Sequence, residues 1–330
     1  MLWNEIIGHR ENISQLKLML HQGRVPHALL FTGPEGVGKM LTATVLAAGL
    51  LCENSKGERP CGSCPSCRQV KGFSHPDLLV VRPDGATIKI DQIRDLQRET
   101  ALAAYRSGCR VGIIDDAERM TPQAANSLLK TLEEPPGQLI FILVSSHRQQ
   151  LLETIISRCR GLRFGPLPGD LLAQALCRQG VPAERAGTAA RLSGGRMGAA
   201  LEIVESEGLL FRDQAVGLIT GLPEMSMEAL WDHMAGLEKM ERQAMLLLLQ
   251  YMEYVLRDLL LIAAGQDDRL LLNVDIAGAL KEQTCNWSET RLTTAFSAVE
   301  AARRAINGNA NVRLTSEALL IRLRDVIRED

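Results

Sequence analysis

Aromatic residues and net charge are both scarce in this sequence. Only 4% of its 330 residues are aromatic, and 37 Lys and Arg nearly balance 39 Asp and Glu, for a formal net charge of −2. A chain with so little net charge has no global basic surface for nucleic acid, so any DNA contact is expected to be local or made within an assembly. The length favours two or three domains.

The sequence also lacks a leader-like segment and a long apolar run. Residues 1–5 have no basic region followed by an apolar one, as a signal peptide would. The most apolar late stretch, residues 245–265, is too polar for a membrane span. Four residues interrupt it: Gln250, Glu253, Arg257 and Asp258. We therefore expect a soluble, cytoplasmic protein with no membrane partner.

A glycine-rich stretch, Gly33-Pro34-Glu35-Gly36-Val37-Gly38-Lys39-Met40, dominates the first part of the chain. It follows an apolar run, residues 28–32, that predicts a buried strand, and it precedes a predicted helix over residues 41–51. Between a strand and a helix, such a stretch directs backbone N–H groups and a lysine at the phosphates of a nucleotide. Gly33, Gly36, Gly38 and Lys39 are thus predicted to bind the phosphates of ATP.

One hydroxyl is missing from this phosphate loop. The consensus continues with Ser or Thr, whose hydroxyl holds Mg²⁺, but Met40 stands at that position. The sequence therefore leaves three possibilities open: an ATPase, an ATPase fold that no longer hydrolyses, or a glycine turn without a ligand.

Carboxylates and a serine follow two later apolar runs. Asp115 and Asp116 end the predicted strand at residues 110–114, and Ser145 follows the predicted strand at residues 139–144. At the carboxyl edge of a parallel sheet, the first acid would hold Mg²⁺ through water and the second would polarise the attacking water. Ser145 would sense the γ-phosphate or cap the strand end. The alternative for both acids is a solvated strand end.

Four of the eight cysteines lie close together in sequence, in the segment 52–67: Cys52, Cys61, Cys64 and Cys67. In a reducing compartment such spacing predicts metal ligation rather than disulfides. Four thiolates suit structural Zn²⁺ and leave no open position for water. Three alternatives remain: His75 in place of Cys52, an iron–sulfur cluster, or four free thiols.

Strand-like runs end near residue 165, and only helical patterns follow. We expect three parts: an α/β nucleotide-binding domain with a parallel sheet at residues 1–165, a small helical lid at residues 166–208, and an all-helical domain at residues 209–330.

Two further motifs give the chain a resemblance to a known family. The segment 124–136, which ends in Glu133-Glu134-Pro135-Pro136, and the triplet Ser157-Arg158-Cys159 resemble the signatures of the AAA+ clamp-loader subunits of bacterial DNA polymerase III. The resemblance extends over nearly the whole chain. It implies a RecA-like P-loop (AAA+) domain, a helical lid and a helical collar domain that mediates oligomerisation.

The resemblance also implies partners. Clamp loaders are five-subunit rings that contain gamma/tau and delta subunits and use ATP to load the sliding clamp on primed DNA during replication. Stator-type members have a degraded nucleotide site but keep the arginine of the Ser-Arg-Cys motif. Arg158 is accordingly expected to reach in trans into the ATP site of a neighbouring gamma/tau subunit as an arginine finger. The alternative is a surface arginine in a local salt bridge.

Met40 favours a stator with weak or no ATPase activity. We expect no polymerase activity from this chain itself. The alternatives are an active gamma/tau-type ATPase subunit and a different AAA+ protein. Arg196 falls near the lid residue that senses phosphate in this family, and it is either that sensor or a helix-start arginine.

Overall fold

The computed structural model describes residues 2–54, 57–101, 108–205, 208–237 and 240–328. The chain divides into two units: unit 1 contains residues 1–175 and 194–198, and unit 2 contains residues 176–193 and 199–330. The finer division into three domains, with boundaries after residues 165 and 208, stays a prediction.

A five-stranded parallel sheet forms the centre of unit 1, with the spatial order β2–β3–β4–β1–β5. Its strands are β1 (Ala28–Thr32), β2 (Leu78–Val81), β3 (Arg110–Ile114), β4 (Leu139–Ser145) and β5 (Arg160–Arg163). All residues of β1 are buried, as expected for a parallel strand covered on both faces. Because Thr32 pairs with Ser145 and Ile114 with Leu143, the ends of β1, β3 and β4 meet at one edge.

Helices cover both faces of this sheet. They are α1 (Arg10–His21), α2 (Lys39–Leu50), α3 (Pro65–Lys71), α4 (Ile90–Ala101), α5 (Pro122–Glu133) and α6 (Glu153–Ile156). Leu29 and Phe31 of β1 pack in a core with α1, α2 and α3. Ala28 and Leu30 point the other way, into a core with α4, α5 and α6. The alternation of side chains along a strand therefore builds two separate cores.

Unit 2 contains only helices among its described residues. Helices α7 (Gly169–Arg178) and α9 (Met197–Glu205) begin in unit 1 and end in unit 2, and the others are α8 (Ala183–Leu192), α10 (Gly208–Gly221), α11 (Met227–Leu237), α12 (Arg242–Ala263), α13 (Ala277–Gln283), α14 (Glu289–Asn307) and α15 (Val312–Arg328). The long α12 packs against α10 and α14 and supplies buried Leu248, Met252, Val255 and Leu259 to a single core.

The predicted fold class is confirmed: a parallel α/β sheet with a phosphate loop after β1, which lies between β4 and β5, is followed by a helical C-terminal part. Within the described ranges, every helix is too short or too polar to cross a bilayer.

Candidate functional site: a phosphate loop and a four-cysteine cluster

The phosphate loop joins the end of β1 to the start of α2. Gly33, Gly36 and Gly38 have φ angles of 152°, 76° and 100°, which residues with a side chain rarely adopt. At Gly33, a Cβ atom would lie 2.0 Å from the carbonyl oxygen of Phe164. Glycine is therefore required there for the loop to leave the sheet. Gly38 lies directly before the first turn of α2, so the loop ends at a helix N-terminus.

Lys39 points back into its own loop. Its Nζ donates to the carbonyl oxygens of Gly33 and Pro34, at 2.7 and 2.8 Å, and to Oγ of Ser146 at 3.0 Å. The residue is only 6% exposed. Burial lowers the pKa of the Lys39 ammonium, and nearby carboxylates, led by Glu118, oppose that shift. Since an ammonium has three donors, Lys39 must give up one of these bonds to reach a phosphate.

The backbone N–H groups of the second half of the loop, unlike the ammonium of Lys39, are not occupied by hydrogen bonds to the described part of the protein. Within the described residues, the N–H groups of Gly36 through Met40 donate no hydrogen bond. The carbonyls are fixed instead: Gly36 accepts from the N–H of Gly198 at 2.9 Å, and the Val37 oxygen lies 2.9 Å from Nε2 of His9. A cavity of about 350 Å³ opens beside the loop. The backbone part of a phosphate site is therefore preserved.

The side chains for Mg²⁺ do not fit the ion. Met40 offers a soft thioether where a hard cation needs oxygen. The carboxylate of Asp115 lies 3.7 Å from Nε of Arg82, and that of Asp116 lies 3.7 Å from Nε of Arg119. A cation of the protein already stands beside each carboxylate. Among the described residues beside the loop, position 40 thus offers no hydroxyl, and both carboxylates have an arginine nearby.

Arg82 is a residue of this site that the sequence analysis missed. It follows β2, and because Val81 pairs with Ile114, it lies beside Asp115. Its guanidinium also stands over the ring of Phe73, 5.1 Å from the centroid. Burial and the neighbouring Asp116 raise the pKa of Asp115, and Arg82 opposes that shift.

Glu118 is a second residue that was missed. Its carboxylate accepts from the N–H of Ser146 at 2.9 Å and lies 3.3 Å from Nδ1 of His147. Burial works to raise the pKa of Glu118, but hydrogen-bond donors hold that pKa below its ordinary value. The hydroxyl of Ser145 accepts from the N–H of His147, whereas the hydroxyl of Ser146 contacts Lys39. Ser146, and not the predicted Ser145, therefore offers its hydroxyl to the loop.

Arg196 lies in the segment 194–198, which belongs to unit 1. This segment packs on the loop, because Gly198, two residues after Arg196, donates to Gly36. A Cβ atom on Gly198 would lie 3.0 Å from Cα of Gly36. Arg196 is half-buried and close in sequence to this contact, which leaves its role as a phosphate sensor a prediction.

Arg158 lies away from the phosphate loop, just after α6. Its Nε donates to Oε1 of Glu133 at 2.8 Å, and its Nη2 also contacts that oxygen. Its Nη1 donates to the carbonyl oxygen of Thr154 at 2.9 Å. The side chain is 34% exposed. Arg158 is thus a partly exposed arginine held in a local ion pair.

The four predicted cysteines converge on one point. The Sγ atoms of Cys52, Cys61, Cys64 and Cys67 all lie within 4.8 Å of one another. The Cys52–Cys64 and Cys61–Cys67 pairs are both 4.0 Å apart. A zinc ion with four Zn–S bonds of about 2.3 Å needs sulfurs roughly 3.8 Å apart. The cluster therefore fits a metal such as zinc, with no part for the alternative ligand His75.

Backbone amides support the sulfur atoms. The N–H of Cys64 points at Sγ of Cys61, and the N–H of Cys67 points at Sγ of Cys64, each at 3.4 Å. Hydrogen bonds from the backbone of Cys64 and Ser63 lower the pKa of Cys61 to about 6, which favours the thiolate that a metal binds. The turn depends on Gly62, whose φ is 74°.

His75 has a structural place nearby. Its Nε2 lies 3.1 Å from Oγ of Ser66, which donates to Oε1 of Glu53 at 2.7 Å, and its Nδ1 accepts from the N–H of Asp77. Because Nδ1 is the acceptor, Nε2 carries the proton and donates to Ser66. His75 thus ties the cysteine segment to the start of β2.

The chain resembles known proteins over its full length. A family described as “DNA polymerase III, delta subunit” matches residues 8–168. DNA polymerase III subunit delta' of Bacillus subtilis is 32% identical over 98% of this chain and 98% of that protein. Subunit delta' of Escherichia coli is 33% identical over 62% of this chain and 62% of its own length.

Other relatives match about half of the chain, or match nearly all of it at low identity. Subunit gamma/tau of Mycobacterium tuberculosis is 36% identical over 53% of this chain and 30% of that protein. The solved structure of a gamma-subunit-related protein from Thermotoga maritima covers 95% of this chain and 100% of its own, with 19% identity and a TM-score of 0.43. The full-length B. subtilis relative decides the assignment: the chain belongs to the family of DNA polymerase III delta' subunits.

Proposed function

We propose that this chain is the stator subunit of a DNA polymerase III clamp loader, and that it helps load the sliding clamp on primed DNA without hydrolysing ATP itself. The observation that carries this proposal is the set of side chains around its own phosphate loop. Met40 replaces the metal-binding hydroxyl, and Arg82 stands beside Asp115. A subunit with such a site contributes to an ATP-driven machine through its contacts with other subunits.

Arg158 is the residue proposed to make the decisive contact. A guanidinium is permanently charged and forked, so it matches a γ-phosphate whose charge grows in the transition state. Supplied from a neighbouring chain, it makes hydrolysis depend on assembly. Its partly exposed position after α6 supports this role. The ion pair with Glu133 also fits a purely local salt bridge, so a direct test is needed.

The partners follow from the family. Relatives named gamma/tau and delta' are parts of DNA polymerase III, and we infer that this chain joins gamma/tau and delta subunits in a hetero-pentamer in the cytoplasm. This chain then acts on the DNA and the sliding clamp as part of the complex.

Zn²⁺ is the proposed metal of the four-cysteine cluster. All four positions would be filled by Cys52, Cys61, Cys64 and Cys67, so the ion would stabilise the fold and would not act on a substrate.

One observation favours the second candidate, an active gamma/tau-type ATPase. The loop keeps Lys39 and a row of available amides, so it retains the means to bind phosphate. We expect at most weak nucleotide binding, because Lys39 is occupied and position 40 offers no hydroxyl to Mg²⁺.

The test combines the isolated chain with a reconstituted loader. The isolated chain should not hydrolyse ATP, and Mg²⁺-dependent turnover that Lys39→Ala abolishes would make it an ATPase. In the complex, Arg158→Ala should slow hydrolysis at one neighbouring site about 10³-fold or more. In a single-turnover experiment, the ATP bound at that site would then no longer be hydrolysed in the fast phase, and the amplitude of that phase would fall. Arg160→Ala, at an exposed position two residues away, is the matched control.

A further inference from the structure

Glu133 is the side chain that holds Arg158, and nothing in the expected function of this chain assigns it a role. We propose that Glu133 is a positioning residue for Arg158: it anchors the Nε–Nη2 edge of the guanidinium and leaves one N–H of Nη2 for the phosphate of a neighbouring subunit. This inference rests on the proposed role of Arg158 as an arginine finger.

The hydrogen bonds of the guanidinium hold four of its N–H groups and leave one for a further acceptor. Nε and Nη2 both contact Oε1 of Glu133, and these two atoms form one of the two forks of an arginine. On the other side, Nη1 donates to Thr154 O at 2.9 Å and lies 3.4 Å from Oγ of Ser157. Of five N–H groups, one on Nη2 has no acceptor among the described residues. A phosphate oxygen approaching that end meets a guanidinium already held in place.

The fold brings the two residues together at helix ends. Glu133 is the last residue of α5, and Glu134-Pro135-Pro136 follows it directly, so the helix cannot extend past this point. Arg158 follows α6, which packs against α5 on the same face of the sheet. The contact spans 25 residues of sequence and depends on where both helices end.

Stability is a poor explanation for this pair. The side chains of Arg158 and Glu133 are 34% and 49% exposed, and ion pairs with such exposure contribute little to the free energy of unfolding. Orientation is a better one. A long side chain such as arginine loses rotamer freedom when it is ordered, and the contact with Glu133 orders Arg158 within its own chain.

The experiment uses the reconstituted clamp loader with variants of this chain alone. Glu133→Ala should slow hydrolysis at the neighbouring site about tenfold, since misplacing a catalytic group costs up to about 10²-fold. Glu133→Gln should stay within about twofold of wild type, because an amide oxygen still accepts from Nε and Nη2. Glu134→Ala is the matched control, since Glu134 is an exposed glutamate one residue away.

Three measurements separate positioning from a structural role. The ATP concentration for half-maximal rate, the melting temperature and the assembly of the complex should be unchanged in Glu133→Ala while the maximal rate falls. A wild-type rate for Glu133→Ala, alongside a slow Arg158→Ala, would overturn this inference and leave the proposed function standing. A wild-type rate for Arg158→Ala would remove the proposed role of Arg158 as an arginine finger, on which this inference rests. An equally slow Glu133→Gln would rule out anchoring by hydrogen bonds.

Discussion

The two ends of α2 carry two ligand sites that differ in how completely their side chains match a ligand. At its start, the phosphate loop keeps the glycines, the lysine and the backbone amides but lacks a hydroxyl for Mg²⁺. Shortly after its end, Cys52 joins three other cysteines with all four sulfurs within 4.8 Å. One site has its full donor set and the other retains only the part that the backbone supplies.

The two sites differ because one depends mainly on backbone atoms and the other depends on side-chain atoms. The phosphate loop is largely a backbone conformation, imposed by Gly33 and by the carbonyls that hold Lys39, so it does not depend on the side chain at position 40. In the cysteine cluster, every metal-binding atom is a side-chain sulfur, so replacing one cysteine removes one of the four ligands. The predictions below test this contrast.

The largest effect is expected from breaking the cysteine cluster. Cys64→Ser should abolish stoichiometric zinc and lower the free energy of unfolding by several kcal/mol, because metal binding contributes directly to folding. The side chain of Cys64 also caps α3 by accepting from the N–H of Cys67. Serine is a good cap, so this change isolates the metal from the cap. Elemental analysis and denaturant unfolding measure the two effects.

Cys177→Ser provides the control for that comparison, since Cys177 is exposed and lies outside the cluster. It should retain one zinc and wild-type stability. Purified wild-type protein without bound metal, or a Cys64→Ser protein that keeps its zinc, would show that the cluster is not a metal site.

A smaller effect is expected at the phosphate loop. Lys39→Ala should lower the free energy of unfolding by about 2–3 kcal/mol, because buried carbonyls lose a charged donor. In an ATPase the same change acts mainly on hydrolysis. Here, ATP turnover by the isolated chain should be absent before and after it. Urea unfolding measures the effect on stability, and a phosphate-release assay measures the effect on ATP hydrolysis. The exposed Lys130, changed to Ala, should alter neither.

The sequence predicted the sheet, the loop and the cysteine ligands because each depends on local patterns. The strand–glycine–helix order fixes the phosphate loop, and the short spacing from Cys61 to Cys67 fixes most of the cluster. Arg82 could not be found this way, since its place beside Asp115 depends on the pairing of β2 with β3. The contact of Ser146 with Lys39 could not be predicted either, because the exact end of β4 decides which hydroxyl turns to Lys39.

The smallest effect concerns Asp115, whose pKa is raised above its ordinary value of 3.8 by burial and by Asp116. The folded protein then binds a proton at Asp115 more readily than the unfolded chain does, so this carboxylate's contribution to stability is present at low pH and is lost as pH rises above 3.8. A charged Asp115 thus destabilises the fold at pH 7. Asp115→Asn should stabilise it there by less than about 1 kcal/mol.

The gain from Asp115→Asn should shrink as the pH falls toward 3.8, because the wild-type carboxylate is then protonated as well. Losing the ion pair with Arg82 subtracts little, since Arg82 is 55% exposed. Denaturant unfolding at several pH values measures the difference, with Asp84→Asn at an exposed position as the control. Adding Mg²⁺ should leave the difference in stability between Asp115→Asn and the wild type unchanged. A variant less stable than wild type at pH 7, or one whose gain disappears with Mg²⁺, would mean that Asp115 still serves a cation, as an active ATPase requires.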